Sequence, residues 1–139
     1  MERMIGIDFG LKRVGLAVSD PLGIFASAID TVPSAKVISF LQNYIMEHPV
    51  SRFVVGFPKN LNNKPSACAQ HVELFVKQLK NTFPTILISL QDERFTSKMA
   101  HRIMIDGGLK KMQRRNKAIV DKISAVLILQ GYLDYQHNL

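Results

Sequence analysis

The sequence has no tryptophan and a single cysteine, Cys68, and its eleven acidic side chains are outnumbered by eighteen Lys and Arg. One thiol cannot close an internal disulfide, which leaves packing to hold the fold and predicts a reducing, cytoplasmic setting. The four histidines, His48, His71, His101 and His137, have no zinc-type spacing with one another or with Cys68, and no Ser-His-Asp context is legible. The longest apolar runs, such as "SAVLIL" from Ser124 to Leu129, fall far short of the roughly 20 residues of a membrane span. Met1-Glu2-Arg3 is not followed by an apolar signal region, so no secretory address is expected. Internal repeats, low-complexity tracts and long linkers are also missing. A single domain over residues 1–139 is the simplest reading.

What is present is a globular composition, 47% hydrophobic and 21% charged, with a net charge of +7. Half of the basic side chains lie between Arg94 and Lys122. A solvated helix face plus a loop would explain such a cluster. Scarcity of acids in the same stretch favours a polyanionic partner, a nucleic acid.

Met4–Phe9 and Val14–Ser19 read as strands, the second alternating Val14, Leu16 and Val18 with small residues. "DPLG", Asp20 to Gly23, has the residue order of a β-turn, and Ile24–Ile29 should form a third strand. Val37, Ile38, Leu41, Tyr44, Ile45 and His48 recur at helical spacing after Pro33-Ser34, a candidate cap. "RFVVGF" reads as a strand buried on both faces. A second helix is expected from Ser66, burying Ala69, Val72, Phe75, Val76 and Leu79. "TILISLQ" is predicted to be another buried strand, and a short helix should start near Thr96 with Met99, Ala100, Ile103 and Met104 inward. Ile105–Asn116 carries glycines and cations and reads as a mobile loop; Lys117–Tyr135 reads as a deeply packed helix, apolar almost all round. The pattern implies an α/β fold with a mixed sheet, three strands antiparallel and two added in parallel by crossovers.

Against this framework the acids stand out. Asp8 ends the first strand, Asp92 and Glu93 end the fifth, and Asp121 lies in the first turns of the last helix. With the first strand central, these places can converge outside the carboxyl ends of the parallel strands, where open α/β sheets bind ligands. Each acid has a plainer reading. Asp8 could cap the turn at Gly10, Asp92-Glu93-Arg94 could be a helix entry with a surface ion pair, and Asp121 could pair with Lys117 or Lys122.

Together, "IGIDFGLKRVGLAVSD", "VVGFPKNLNN", "DERFTS" and "RRNKAIVDKISAVLILQGYLD" resemble the YqgF/RuvX-type family of RNase H-like nucleases, in the right order and over nearly the whole chain. That family is described as a pre-16S rRNA nuclease family, with some members described as Holliday-junction resolvases. The resemblance implies the RNase H fold, a five-stranded sheet of order 3-2-1-4-5 flanked by helices. It also implies an acidic triad of Asp8, the Asp92-Glu93 pair with Glu93 favoured, and Asp121. The chain departs from the family's pattern at Leu11, at Asn62-Asn63 and at Pro65-Ser66.

Carboxylates suit the implied chemistry. Phosphodiester hydrolysis needs an activated water, stabilised negative charge and a helped leaving group, which two Mg²⁺ or Mn²⁺ ions provide. These hard cations take oxygen ligands and keep several waters, so Asp8, Asp92, Glu93 and Asp121 would suffice, with weak binding expected until substrate arrives. Lys12, Arg13, Lys59, Asn60, Arg94, Lys110, Lys111, Arg114, Arg115 and Lys117 are the candidate contacts to nucleic acid. Pre-rRNA, on ribosomal precursor particles, is the favoured partner and branched DNA the alternative, for a monomer or weak homodimer. Two other classes compete: an actin- or sugar-kinase-like ATPase, on the strength of "GIDFG", and a non-catalytic basic RNA-binding module.

Overall fold

The structure, a computed structural model, describes residues 2–57, 69–92 and 117–137, with residues 117–121 and 137 described by their backbone. The expected start of a helix at Ser66, the short helix near Thr96 and the loop of residues 105–116 lie outside the described residues. The elements run β1 (Arg3–Phe9), β2 (Arg13–Ser19), β3 (Ala26–Pro33), a 3-10 turn (Ser34–Lys36), α1 (Val37–Glu47), β4 (Val50–Phe57), α2 (Ala69–Thr82), β5 (Leu87–Asp92) and α3 (Lys117–His137). The sheet order is β3-β2-β1-β4-β5. β1, β2 and β3 are antiparallel neighbours, while β4 and β5 run parallel to β1. This is the expected architecture.

The period of two along the strands divides the protein into layers. Ile5, Ile7, Val14, Leu16, Phe53 and Val55 share one face and are buried with Val37 and Leu41 of α1 and Val72, Phe75 and Leu79 of α2. Each such side chain removed from water contributes about 1.5–3 kcal/mol. Ala17 and Val54 occupy the opposite face and pack against Ala125, Ile128, Leu129 and Leu133 of α3. On this face Arg52 donates to Ser89 Oγ at 2.6 Å, and its guanidinium lies 5.7 Å from the Tyr132 ring centre.

Gly6 lies between these layers. A Cβ there would come within 2.6 Å of Leu129 Cβ and 2.9 Å of the Ala125 carbonyl oxygen, so α3 rests on bare backbone. The α3 helix is less buried than its composition suggests. Ser124, Ala125, Ile128, Leu129 and Leu133 are buried, whereas Val126 and Leu127 are only partly covered.

Several expected boundaries move, for local reasons. The third strand begins at Ala26 because Ile24 and Phe25 belong to the turn: both donate their N–H to Asp20 Oδ1, at 2.7 and 2.8 Å. Gly23 closes the turn at φ +70 with its N–H on the Asp20 carbonyl, 3.0 Å away. Gln130 of α3 clamps the same segment, accepting from Ala26 N–H and donating to the Ile24 carbonyl, each at 2.9 Å. Ser34 makes no capping hydrogen bond to the helix; its Oγ donates to the Leu11 carbonyl at 2.6 Å instead. α1 ends at Glu47, so His48 is not on its inner stripe and rests against Tyr44, ring centres 4.7 Å apart. β5 is not a buried strand. It is an edge among the described strands, with Leu87 and Leu90 exposed.

The turn has a measurable acid response. Hydrogen bonds from the Phe25 and Ile24 N–H groups, that from Phe25 first, hold the Asp20 carboxyl below its ordinary range. A carboxylate whose pKa is depressed on folding stabilises the fold above its unfolded pKa and loses that contribution as pH falls through the folded value. Melting temperatures of wild type and Asp20→Asn should therefore differ near neutrality, with wild type higher. The gap should narrow below about pH 4, the ordinary Asp range. A constant gap down to pH 2 would contradict this reading.

Candidate active site

Because β1, β4 and β5 are parallel, their last residues, Phe9, Phe57 and Asp92, end at one rim. Asp8 is half-buried there and pairs with Gly15 of β2. On its other side Ile7 pairs with Val55, which brings Gly56 abreast of Asp8. By the pleat, Asp8 shares the face of Gly6 and Val54, the face covered by α3. Its carboxylate thus stands between two strand positions that carry no side chain.

Asp92 is placed differently. It pairs with Phe57 and shares the pleat of Phe57 and Leu90, two residues that line a groove against Val76, Lys77 and Lys80 of α2. The two described acids of the rim therefore belong to opposite faces. Glu93 lies outside the described residues.

Asp121 occupies the fifth position of α3, one turn ahead of Ala125, the residue whose carbonyl covers Gly6. Moving one turn toward the α3 N-terminus and two residues along β1 from Gly6 leads to Asp121 and Asp8 respectively. At the fifth position little of the helix dipole remains, since it fades within the first turn. Lys122 reaches across to β3, its Nζ 3.9 Å from Asp30 Oδ1.

The loop between β1 and β2 borders the same rim. Gly10 N–H donates to the Arg13 carbonyl at 2.9 Å, and a Cβ at Gly10 would lie 2.6 Å from that oxygen. Ser34 pins the loop twice, through its hydroxyl on the Leu11 carbonyl and its N–H on the Lys12 carbonyl at 3.0 Å. Lys12 is exposed on this fixed loop, and Arg13 is half-buried at the start of β2. Of the other expected nucleic-acid contacts, Lys59, Asn60, Arg94, Lys110, Lys111, Arg114 and Arg115 lie outside the described residues. Lys117 opens α3.

Asp8 has the hard oxygen donors that a divalent cation takes, and its strand neighbours Gly15 and Gly56 carry no Cβ; among the described residues no three acids, histidines or cysteines gather as a metal cluster. Ser124 Oγ, buried on α3, has no hydrogen-bond partner among the described residues. The residue pattern alone did not reveal the flanking role of Gly56 or the helix contact of Gly6. The available signal was an isolated glycine inside each strand pattern.

A family model described as "RuvX: Holliday junction resolvase" matches residues 2–135. The chain belongs to the RuvX family. Among curated relatives, the "Putative pre-16S rRNA nuclease" of Parabacteroides distasonis is 51% identical over 134 residues, covering 96% of each chain. The protein of the same name from Flavobacterium psychrophilum is 48% identical over 133 residues, covering 96% of this chain and 97% of the relative. Among solved structures, "T. thermophilus RuvC in complex with Holliday junction substrate" superposes with a TM-score of 0.59 at 15% identity, covering 99% of this RuvX chain and 96% of that chain. "Thermus thermophilus RuvC structure" gives 0.57 at 14%, covering 98% and 96%. At such identities the likeness is one of fold, and it is an RNase H-like fold. Family membership over this length favours a nuclease over the ATPase and the non-catalytic module. No helix among the described residues of this RuvX-family chain is long and apolar enough to cross a membrane.

Proposed function

We propose that this protein is a metal-dependent phosphodiester hydrolase that processes the 5′ end of pre-16S rRNA during ribosome biogenesis in the cytoplasm. The observation that carries the reading is Asp8, held on a glycine-flanked strand at the rim of an RNase H-like sheet, in a chain 51% identical to a named pre-16S rRNA nuclease. Asp8, Glu93 and Asp121 are the proposed catalytic acids. Glu93 is preferred to Asp92 because the pleat gives Asp92 to the α2 face; Asp92 is then a peripheral ligand at most. These carboxylates would hold two Mg²⁺ or Mn²⁺ ions, which when bound activate water and neutralise charge on a phosphodiester. The chain's own contribution is to fix the carboxylates on rigid elements and to lead the phosphate backbone to them. Lys12, on the Ser34-pinned loop, and Arg13, at the start of β2, are assigned to the second task. Lys59, Asn60, Arg94, Lys110, Lys111, Arg114, Arg115 and Lys117 are assigned to it from the sequence.

A second reading, cleavage of branched DNA, draws support from the description of the RuvX family. The deciding experiment incubates the purified protein and Mg²⁺ or Mn²⁺ with precursor 16S rRNA and, separately, a four-way DNA junction. Cleavage of the RNA near its 5′ end is expected. Cutting of the junction alone would favour the DNA reading and make a homodimer, able to cut two strands symmetrically, the expected active form. Absence of metal-dependent cleavage of either would refute the hydrolase.

The basic cluster makes a separate prediction. If Lys110, Lys111, Arg114 and Arg115 contact phosphates, affinity falls linearly with log salt, with a slope of about 0.7 per contact on single strands and about 0.9 on duplex DNA. Replacing all four by Gln should flatten the slope by about three to four contacts' worth. Superimposable salt titrations of the two proteins would reduce the cluster to a solvated surface.

A further inference from the structure

A cavity of about 290 Å³ opens beside the end of β1, on the opposite side of the sheet from α3. Its walls include Phe9, Ser34, His71, Leu74, Phe75 and Gln78. Phe9 and Phe75 stack with ring centres 4.5 Å apart and planes inclined by 18°, forming an aromatic floor. His71, Leu74, Phe75 and Gln78 recur at the spacing of one helix face and line the α2 side. Only Phe75 of these four is buried; Leu74 is 62% exposed, a large apolar residue left in solvent at the cavity's lip.

Two features tie the cavity to the rim. Phe9 follows Asp8 at the same end of β1 with its side chain on the opposite face, so a strand crossing the rim can meet both. Ser34 lines the cavity and also pins the Leu11 and Lys12 carbonyls, which fixes the exposed Lys12 on a loop bordering it. A lysine on the loop held by Ser34, an aromatic and aliphatic interior, and hydrogen-bonding side chains on one wall are the groups a single nucleotide needs. Lys12 suits a phosphate, the Phe9–Phe75 floor and Leu74 suit the faces and edges of a heterocycle, and His71 and Gln78 suit its polar edge. The volume is near the small end of ligand sites, about 300 Å³, and suits one heterocycle.

We propose that this cavity is a subsite for one unpaired nucleobase of the substrate strand, reached across the rim from the scissile phosphate. It rests on the nuclease reading and adds to it a means of choosing where on a strand Asp8 acts. A paired base cannot enter, so the subsite directs cleavage to single-stranded or unstacked positions.

The test is equilibrium binding, in EDTA, of the full chain to a labelled single-stranded RNA, to the matching DNA, and to a series of each with one abasic residue walked along the strand. In wild type, one abasic position should weaken binding by about fivefold to a hundredfold, the range for loss of a single stacked base. In the His71→Ala/Leu74→Ala/Gln78→Ala protein, whose three substitutions are at exposed positions, the intact strand should bind more weakly and that same abasic position should become silent. Gln78→Ala alone should halve the effect or more, which keeps the test open if the triple variant melts early. A penalty confined to the RNA series would add recognition of the ribose, and equal penalties would leave the base as the only feature read; both support the subsite. No position-dependent penalty, or one that persists in the variants, would overturn it. Metal-dependent cleavage that survives such a failure would spare the nuclease reading, whereas failure to bind any strand would sink both.

Discussion

Asp8→Asn should abolish cleavage while leaving a wild-type circular dichroism spectrum and a melting curve close to the parent's. Asparagine keeps the shape of the side chain and one oxygen acceptor but removes the charge that would hold a hard cation. Metal catalysis supplies several kcal/mol of transition-state stabilisation. At about 1.4 kcal/mol per tenfold, losing its anchor should lower turnover by at least about 10²- to 10³-fold. The neighbouring acids then separate by pleat. Glu93→Gln and Asp121→Asn should resemble Asp8→Asn, whereas Asp92→Asn, on the face shared with Phe57 and Leu90, should retain most activity. Single-turnover cleavage of one precursor RNA by the four variants is the measurement. Wild-type turnover by Asp8→Asn would remove the metal site from the rim, and a dead Asp92→Asn beside an active Glu93→Gln would reverse the assignment within the pair.

The largest stability effect should come from Gly6→Ala, the addition of one methyl group. The new Cβ would sit 2.6 Å from Leu129 Cβ and 2.9 Å from the Ala125 carbonyl, both on the helix that closes this face. Neither atom is the tip of a flexible side chain, so the helix has to lift. Overpacking of this kind costs about 1–3 kcal/mol, and a chain of this size loses roughly 4 °C of melting temperature per kcal/mol. Leu129→Ala cannot relieve the contact, because the obstructing atom is the β-carbon that alanine keeps. The double variant should therefore be less stable than either single one. Cleavage by Gly6→Ala, measured well below its melting point, should also fall, because a raised helix draws the Asp121 position away from β1. Wild-type melting of Gly6→Ala would show that the helix seats more loosely than the structure has it.

Local physics made much of the sheet legible in the residue pattern. Alternation of Val14, Leu16 and Val18 with small residues could mean only a strand with two unlike faces, and the Asp20–Gly23 turn forms as its residue order demands. What escaped was set by distant partners. Ile24 and Phe25 are good strand residues, yet Asp20 and Gln130, the latter more than a hundred residues away, hold them in a turn. Ser34 has the chemistry of a helix cap and spends its hydroxyl on Leu11. "TILISLQ" looks like a central strand because its residues are apolar; only the sheet order makes it an edge. For the candidate site, Asp8 was legible as an acid with no reason to be in a strand. That Asp92 belongs to the other face was not, since it depends on the register between β4 and β5.

The seating of α3 on Gly6 also has a bearing on time. A chain leaves the ribosome from its N-terminus at about 5–20 residues per second, and its early segments begin to fold as they emerge. The antiparallel partners of β1 and β2 all lie within residues 3–33, so the strand that carries Asp8 can pair before the rest of the sheet is made. The helix that covers its face begins at residue 117 and pairs with β1 across more than a hundred intervening residues. Until that helix is made, the rim has a carboxylate from β1 and no counterpart from α3. On the proposed triad, a half-synthesised chain would hold Asp8 in its strand without Asp121, and cleavage would have to wait for α3.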